Sequence, residues 1–120
     1  MLTGIFTPNL VPFLDDGRIN EGELRRMINW LIEKGVSGLY PNGSTGEFIR
    51  LSLEERKRVI QIVVEEKRGR VPILAGAAEP NMDLILEVCR AYADLGCAAV
   101  SVTGPYYFKV SQESIEHFFR

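Results

Sequence analysis

The chain has 120 residues, of which 46% are hydrophobic and 25% charged, a balance that fits a folded globular domain and excludes a disordered polymer. Its formal net charge of −2, without a stripe of Lys and Arg, gives no electrostatic basis for binding nucleic acid. Because no signal peptide and no membrane-spanning apolar run is visible, we expect a cytoplasmic protein that does not bind membranes.

The first predicted unit joins a short apolar run at residues 5–7 to an amphipathic helix. Asn20 and Glu23 have the spacing of a capping box, in which two side chains bind free backbone N–H groups at a helix start. Apolar residues then recur at helical spacing: Leu24, Met27, Ile28, Leu31 and Ile32. Gly35 predicts the helix end, since glycine readily adopts the left-handed conformation.

The second unit has its apolar run at residues 38–40, followed by a glycine-rich loop. Ser52 and Glu55 predict another capping box, and Gly69 predicts the helix end. The buried face of this helix is predicted to comprise Leu53, Val59, Ile60, Val63 and Val64. Three basic residues lie among glutamates and are interpreted as a solvated face: Arg56, Lys57 and Arg58.

The third and fourth units repeat this order, with strands at residues 73–75 and 98–102. Five residues of the third helix are predicted to face the core: Leu84, Ile85, Val88, Cys89 and Tyr92. Ser111 begins a fourth helix that carries Ile115, Phe118 and Phe119. Cys89 and Cys97 are interpreted as buried free thiols, because a metal site would need more ligands than these and the single histidine, His117.

Apolar strands that alternate with helices predict an α/β fold with a parallel sheet. Four such units make half of a TIM (β/α)8 barrel of about 250 residues. Residues 1–120 are therefore expected to form a single domain, the N-terminal half of such a barrel. Patterning alone leaves a flavodoxin-like doubly wound sheet as an alternative. In either fold, ligands bind at the carboxyl ends of the strands, so the strand-to-helix loops are the candidates for chemistry.

The loop after the second strand holds two hydroxyls between two glycines, in the order Gly43, Ser44, Thr45 and Gly46. Backbone N–H groups and both hydroxyls can converge there on one anion. A carboxylate fits better than a polyphosphate, since no Walker lysine follows. An ordinary Gly/Ser turn is the alternative.

The loops after the fourth and first strands contribute further candidates. Tyr106 and Tyr107 point in opposite directions in an extended segment, so one phenol can pack while the other faces the site. A tyrosine hydroxyl can relay protons when a second hydroxyl, such as that of Thr45, lies within reach. Simple aromatic packing is the alternative. Thr7 would line the floor of the same face.

Three motifs occur in the same order as in one known family: Gly4-x-x-Thr7-Pro8, Gly43 to Glu47, and Pro105-Tyr106-Tyr107. The chain resembles the dihydrodipicolinate synthase and N-acetylneuraminate lyase family of pyruvate-dependent class I aldolases. The resemblance extends over essentially all 120 residues.

The resemblance implies a barrel enzyme, usually a homotetramer, in which a lysine forms a Schiff base with pyruvate or another 2-oxo acid, without a cofactor or metal. Ser44 and Thr45 would hold the substrate carboxylate. Ser44 and Tyr107 would act as catalytic residues in a proton relay, with Tyr107 reaching into the neighbouring subunit's site. Glu47 would tie down its loop.

The family lysine lies on a sixth strand, so the 120 residues alone are expected to be inactive. Lys109 is a poor substitute, because a solvated lysine of ordinary pKa forms imines poorly. The resemblance favours a lyase of lysine biosynthesis that condenses pyruvate with an aldehyde. N-acetylneuraminate lyase and 2-keto-3-deoxy sugar-acid aldolase activities remain as alternatives. A non-catalytic half-barrel that self-assembles through its open edges is a third.

Overall fold

The computed structural model describes residues 2–120 and contains one series of four short parallel strands. The strands are β1 (Phe6–Pro8), β2 (Gly38–Tyr40), β3 (Leu74–Gly76) and β4 (Ala99–Ser101). Strand β1 pairs with β2, and β3 pairs with β4. A parallel bridge between Leu39 and Ile73 joins the two pairs. The strands are therefore neighbours in chain order, as in a barrel, which contradicts the flavodoxin-like alternative with its reordered strands.

Four helices follow the strands: α1 (Glu21–Glu33), α2 (Leu53–Lys67), α3 (Met82–Asp94) and α4 (Gln112–Phe118). Ser52 and Glu55 form both halves of the predicted capping box. Asn20 forms only one half, because it accepts the N–H of Glu23 while the Glu23 carboxylate binds Arg26. Among residues 2–120, no helix is both long and apolar enough to cross a bilayer.

The turns from helix to strand lie at the amino ends of the strands, opposite the strand-to-helix loops. A glycine with φ between 74° and 83° follows each of the first three helices: Gly35, Gly69 and Gly96. A side chain would be strained in this left-handed backbone, which is why the predicted helix ends are correct.

The apolar core lies between the sheet and helices α1 to α3. Its large, fully buried side chains come from all three helices, from β2 and from the residue before β3: Leu24, Ile28, Leu39, Val59, Ile60, Ile62, Val63, Ile73, Val88 and Tyr92. Cys89 and Cys97 are free thiols, but both are half-buried rather than fully buried. Desolvation raises the pKa of Cys97 to about 11, so this thiol is protonated at neutral pH.

The interpretation of Arg56 as part of a solvated face is wrong. Arg56 is only 7% exposed, and its guanidinium donates to the carbonyls of Phe48, Leu51 and Ala78 and to the Glu79 carboxylate. These carbonyls belong to segments beside α2, so the guanidinium ties those segments to the helix. Lys57 and Arg58 are half-buried in ion pairs with Glu87 of α3 and Glu21 of α1.

Candidate functional site

A cavity of about 370 Å³ opens at the carboxyl ends of β2, β3 and β4. Each of these strands or its following loop contributes to the wall, which places the cavity where parallel α/β folds bind ligands. The lining residues are Tyr40, Asn42, Gly43, Ser44, Glu47, Phe48, Ile49, Gly76, Ala78, Thr103 and Tyr106.

The two hydroxyls of the glycine-flanked loop lie on a single 3₁₀ turn, Ser44–Gly46. The Gly46 N–H donates to the Gly43 carbonyl and the Glu47 N–H to the Ser44 carbonyl, each at 3.0 Å. Gly46 packs so closely against β1's loop that an added Cβ would lie 2.9 Å from the Asn9 carbonyl oxygen. The turn is thus held in contact with the loop after β1, while Ser44 and Thr45 stay exposed.

The predicted site residues do not all meet at this cavity. Ser44 lines it, whereas Thr45, its neighbour in the turn, does not. From the tyrosine pair, Tyr106 lines the wall, and Tyr107 is 78% exposed and packs edge-on against Phe108. Thr7 is half-buried in β1 and also lies outside the lining. Of the residues that the sequence singles out in these loops, Ser44 and Tyr106 therefore line the cavity of this chain, and Thr45, Tyr107 and Thr7 do not.

Aromatic contacts connect the loops on opposite sides of the cavity. Phe48 and Tyr106 pack edge-to-face with ring centroids 6.2 Å apart, and the Arg56 guanidinium lies 5.1 Å from the Phe48 ring centre. The Glu47 carboxylate binds Arg50 at 2.7 Å within its own loop. The Phe48–Tyr106 contact joins the loop after β2 to the loop after β4 in the cavity wall.

The hydroxyl of Tyr40, one of the lining residues, donates to Ser101 Oγ at 3.1 Å. The two residues end β2 and β4, which are separated by β3. Side chains from alternate strands share layers inside a closed barrel. This hydrogen bond therefore marks the inner, concave face of the sheet.

A buried asparagine anchors the start of the Ser44 turn. Asn42 has φ of 58° and is 0% exposed. Its Nδ2 donates to the Arg56 carbonyl at 2.9 Å and to the Tyr92 hydroxyl at 3.0 Å. Asn42 Oδ1 has no partner among the described residues, and an unpaired buried acceptor costs about 1–3 kcal/mol. Asn42 thus has a left-handed backbone and an unpaired buried oxygen, both of which cost free energy, and its side chain forms hydrogen bonds to α2 and α3.

Sequence reasoning assigned no role to Asn42, Tyr40 or Gly76. A signal for Asn42 exists, because asparagine followed by glycine favours turns with positive φ. No comparable signal exists for Tyr40 or Gly76, since their roles depend on contacts with β4 and with the loop after β2.

The buried Tyr92 hydroxyl makes stability sensitive to alkaline pH. Burial raises its pKa from 10 to about 12, against the smaller opposing effect of the Asn42 hydrogen bond. Between these values the unfolded chain has lost the proton that the folded chain retains, so rising pH favours unfolding. We expect Tyr92 to lower the free energy of unfolding by about 1.4 kcal/mol per pH unit in this window, and to have no such effect below pH 10.

Urea denaturation of the chain at several pH values from 9 to 12, with and without Tyr92→Phe, measures this slope. In the variant, the free energy of unfolding should lack the part of its pH dependence that comes from the Tyr92 proton. Equal slopes for both proteins would contradict the assignment.

Comparisons with known proteins extend over the whole chain. A family model described as the Dihydrodipicolinate synthetase family matches residues 1–120. The 4-hydroxy-tetrahydrodipicolinate synthase of Brucella abortus is 42% identical over 121 aligned residues, which cover 100% of this chain and 41% of that protein. The chain thus spans about 41% of the length of this curated relative.

Solved structures also match almost the whole chain. The N-acetylneuraminate lyase of Fusobacterium nucleatum is 35% identical with a TM-score of 0.92, covering 98% of this chain and 41% of that one. The 2-keto 3-deoxygluconate aldolase of Picrophilus torridus is 33% identical with a TM-score of 0.94, covering 99% and 43%.

Proposed function

Since the chain belongs to the dihydrodipicolinate synthetase family, we propose that it supplies the carboxylate-holding part of a lyase that condenses pyruvate with an aldehyde through a Schiff base. The fold is that of the α/β TIM-barrel class predicted from the sequence, and the chain comprises its first four strand–helix units. We further propose that residues 1–120 form the N-terminal half of one barrel domain.

The observation that carries the proposal is the position of Ser44 on a glycine-flanked turn at the mouth of the cavity. The Ser44 and Thr45 hydroxyls would donate to the carboxylate of a 2-oxo acid. A lysine amine from outside residues 1–120 would condense with the ketone carbon and release water. Loss of a methyl proton then gives an enamine, whose carbon adds to the aldehyde.

Tyr107 would complete the proton relay from a neighbouring subunit. Tyr107 does not line this chain's own cavity, and it is 78% exposed beside Phe108, which is 74% exposed. An aromatic pair so exposed is typical of a surface that a partner covers. The partner proposed here is a second copy of the same chain, in a homo-oligomer. A cytoplasmic location is proposed because the free thiols Cys89 and Cys97 would persist there.

The test uses the chain itself and a chimera, in which residues 1–120 replace the matching segment of the Brucella abortus synthase. Pyruvate and borohydride should add covalent mass to the chimera and not to the 120-residue chain, because only the chimera holds the imine-forming lysine. Ser44→Ala should slow adduct formation about 10²-fold, through loss of a hydroxyl that holds substrate and relays protons. Ser111→Ala, which removes only the cap of α4, is the matched control.

Absence of the adduct in a folded chimera would contradict the proposal, provided that the parent synthase forms one. Pyruvate release from N-acetylneuraminate or 2-keto-3-deoxygluconate would instead favour the lyase or sugar-acid aldolase activities, to which the two solved structures give support. Light scattering of the same samples should show more than one copy per particle. A stable monomer would contradict the oligomer and leave assembly of a non-catalytic half-barrel without support.

A further inference from the structure

We propose that Asn42 is a positioning residue, which holds the Ser44 turn at the cavity through its buried side-chain amide. This inference rests on the proposed function of Ser44. Asn42 does not need to touch the substrate, since it would act only by fixing where the next residues of the loop lie.

The contacts of the amide connect the turn to two helices. Asn42 Nδ2 donates to the main-chain carbonyl of Arg56 in α2 and to the Tyr92 hydroxyl in α3. The acceptors are 14 and 50 residues away along the chain. A donor that meets both at once fixes the depth and the direction of the loop, which a backbone turn alone cannot do.

The orientation of the amide is determined by its partners. A carbonyl oxygen such as that of Arg56 only accepts, so the nitrogen of Asn42 must face it. Aspartate in its place would direct an acceptor at an acceptor, and leucine would leave the Arg56 carbonyl without this donor. The requirement is for a short side chain with an N–H donor.

The backbone around Asn42 is equally constrained. Its carbonyl side is packed against Gly76, where an added Cβ would lie 2.2 Å from the Asn42 oxygen. On the other side, the Gly76 N–H donates to the Pro41 carbonyl at 2.9 Å. Asn42 is therefore fixed to β3 through its main chain and to α2 and α3 through its side chain, and Ser44 follows two residues later.

A merely conformational role can be separated from the role of the amide. Asn42→Gly accepts the φ of 58° without strain but lacks the donor. If Asn42 serves only to permit the left-handed backbone, the glycine variant will behave as the parent. If the amide positions the turn, the glycine variant will loosen it.

The experiment measures two quantities in the chimera with and without Asn42→Gly. Amide hydrogen exchange at Gly46, Glu47 and Gly76, whose N–H groups bond within or beside the turn, should become about tenfold faster in the variant. The pyruvate KM should rise about tenfold and kcat should fall as well, because a displaced Ser44 would bind the carboxylate and relay protons less well. The exchange measurement is repeated on the 120-residue chain.

Asn29→Ala is the matched control. Asn29 also donates from Nδ2, to the Glu66 carboxylate at 2.7 Å and the Arg25 carbonyl at 3.1 Å, but it joins α1 to α2 away from the cavity. It should lower the melting temperature without changing the pyruvate KM. Tyr92→Phe, which removes one of the two acceptors, should give a smaller KM increase than Asn42→Gly.

Unchanged exchange in Asn42→Gly would overturn the proposal, whatever the parent chimera does with pyruvate. Faster exchange with an unchanged KM would overturn it as well, because the turn's position would then not matter to the substrate. If the parent chimera forms no pyruvate adduct, the proposed function fails, and the exchange rates alone decide whether Asn42 holds the turn.

Discussion

Replacing Gly76 with alanine should destabilise the chain by about 3 kcal/mol or more and displace the Ser44 turn. The new Cβ would lie 2.2 Å from the Asn42 carbonyl oxygen and 2.6 Å from its carbonyl carbon. Both are backbone atoms, so no rotamer change relieves the overlap. Because the Asn42 side chain is bonded to α2 and α3, the loop can retreat only by breaking those hydrogen bonds.

Urea denaturation followed by circular dichroism measures the change in stability. Gly22→Ala is the matched control, since the nearest atom to its added Cβ would be Asn20 Oδ1 at 3.7 Å. Within α1 that alanine should stabilise by up to about 1 kcal/mol, the usual difference in helix propensity. A Gly76→Ala protein with unchanged stability would show that Asn42 and β3 are not in close contact.

Arg56→Ala should lower the free energy of unfolding by about 3–5 kcal/mol, the usual loss when one partner of a buried ion pair is removed. The Arg56 and Glu79 side chains are 9% and 18% exposed. Alanine would leave the Glu79 carboxylate without this cation and would remove the donor to the carbonyls of Phe48, Leu51 and Ala78.

Arg58→Ala provides the comparison, because Arg58 binds Glu21 in a pair whose side chains are 39% and 41% exposed. Such pairs contribute about 0–1 kcal/mol. The loss in free energy of unfolding for Arg56→Lys should lie between those of the two alanine variants. Lysine keeps the charge but lacks the Nε donor that the Phe48 and Leu51 carbonyls share. Equal urea midpoints for Arg56→Ala and Arg58→Ala would contradict the role assigned to burial.

The sequence allows the order and ends of the elements to be predicted because those features depend on neighbours along the chain. Helix α2 begins at its capping box, and Gly35 ends α1, as local spacing requires. The parallel arrangement follows from the alternation of strands and helices. Strand limits are less accurate: β4 covers Ala99–Ser101, two residues fewer than predicted, because the strand ends where pairing with β3 ends.

The site was predictable only in part, because its remaining features depend on contacts distant in sequence. Ser44, which its flanking glycines single out, lies in the wall of the cavity, and its role stays a prediction. Arg56 was misassigned because charge pattern was weighed above position, although residue 56 lies one turn from both Leu53 and Ile60 on the packed face of α2. The amide of Asn42 could not have been assigned, since Tyr92 lies 50 residues away.

The separation between the two ends of the sheet bears on how substrate preference can change during evolution. The glycine turns that return the chain to each new strand lie at the amino ends, whereas the cavity wall is built from loops at the carboxyl ends. A mutation at Ile49 or Thr103, which line the cavity, can change its shape without altering any of the glycine turns at the amino ends. Proteins that share this fold can therefore differ in the ligands they bind while they keep the same turns between helix and strand.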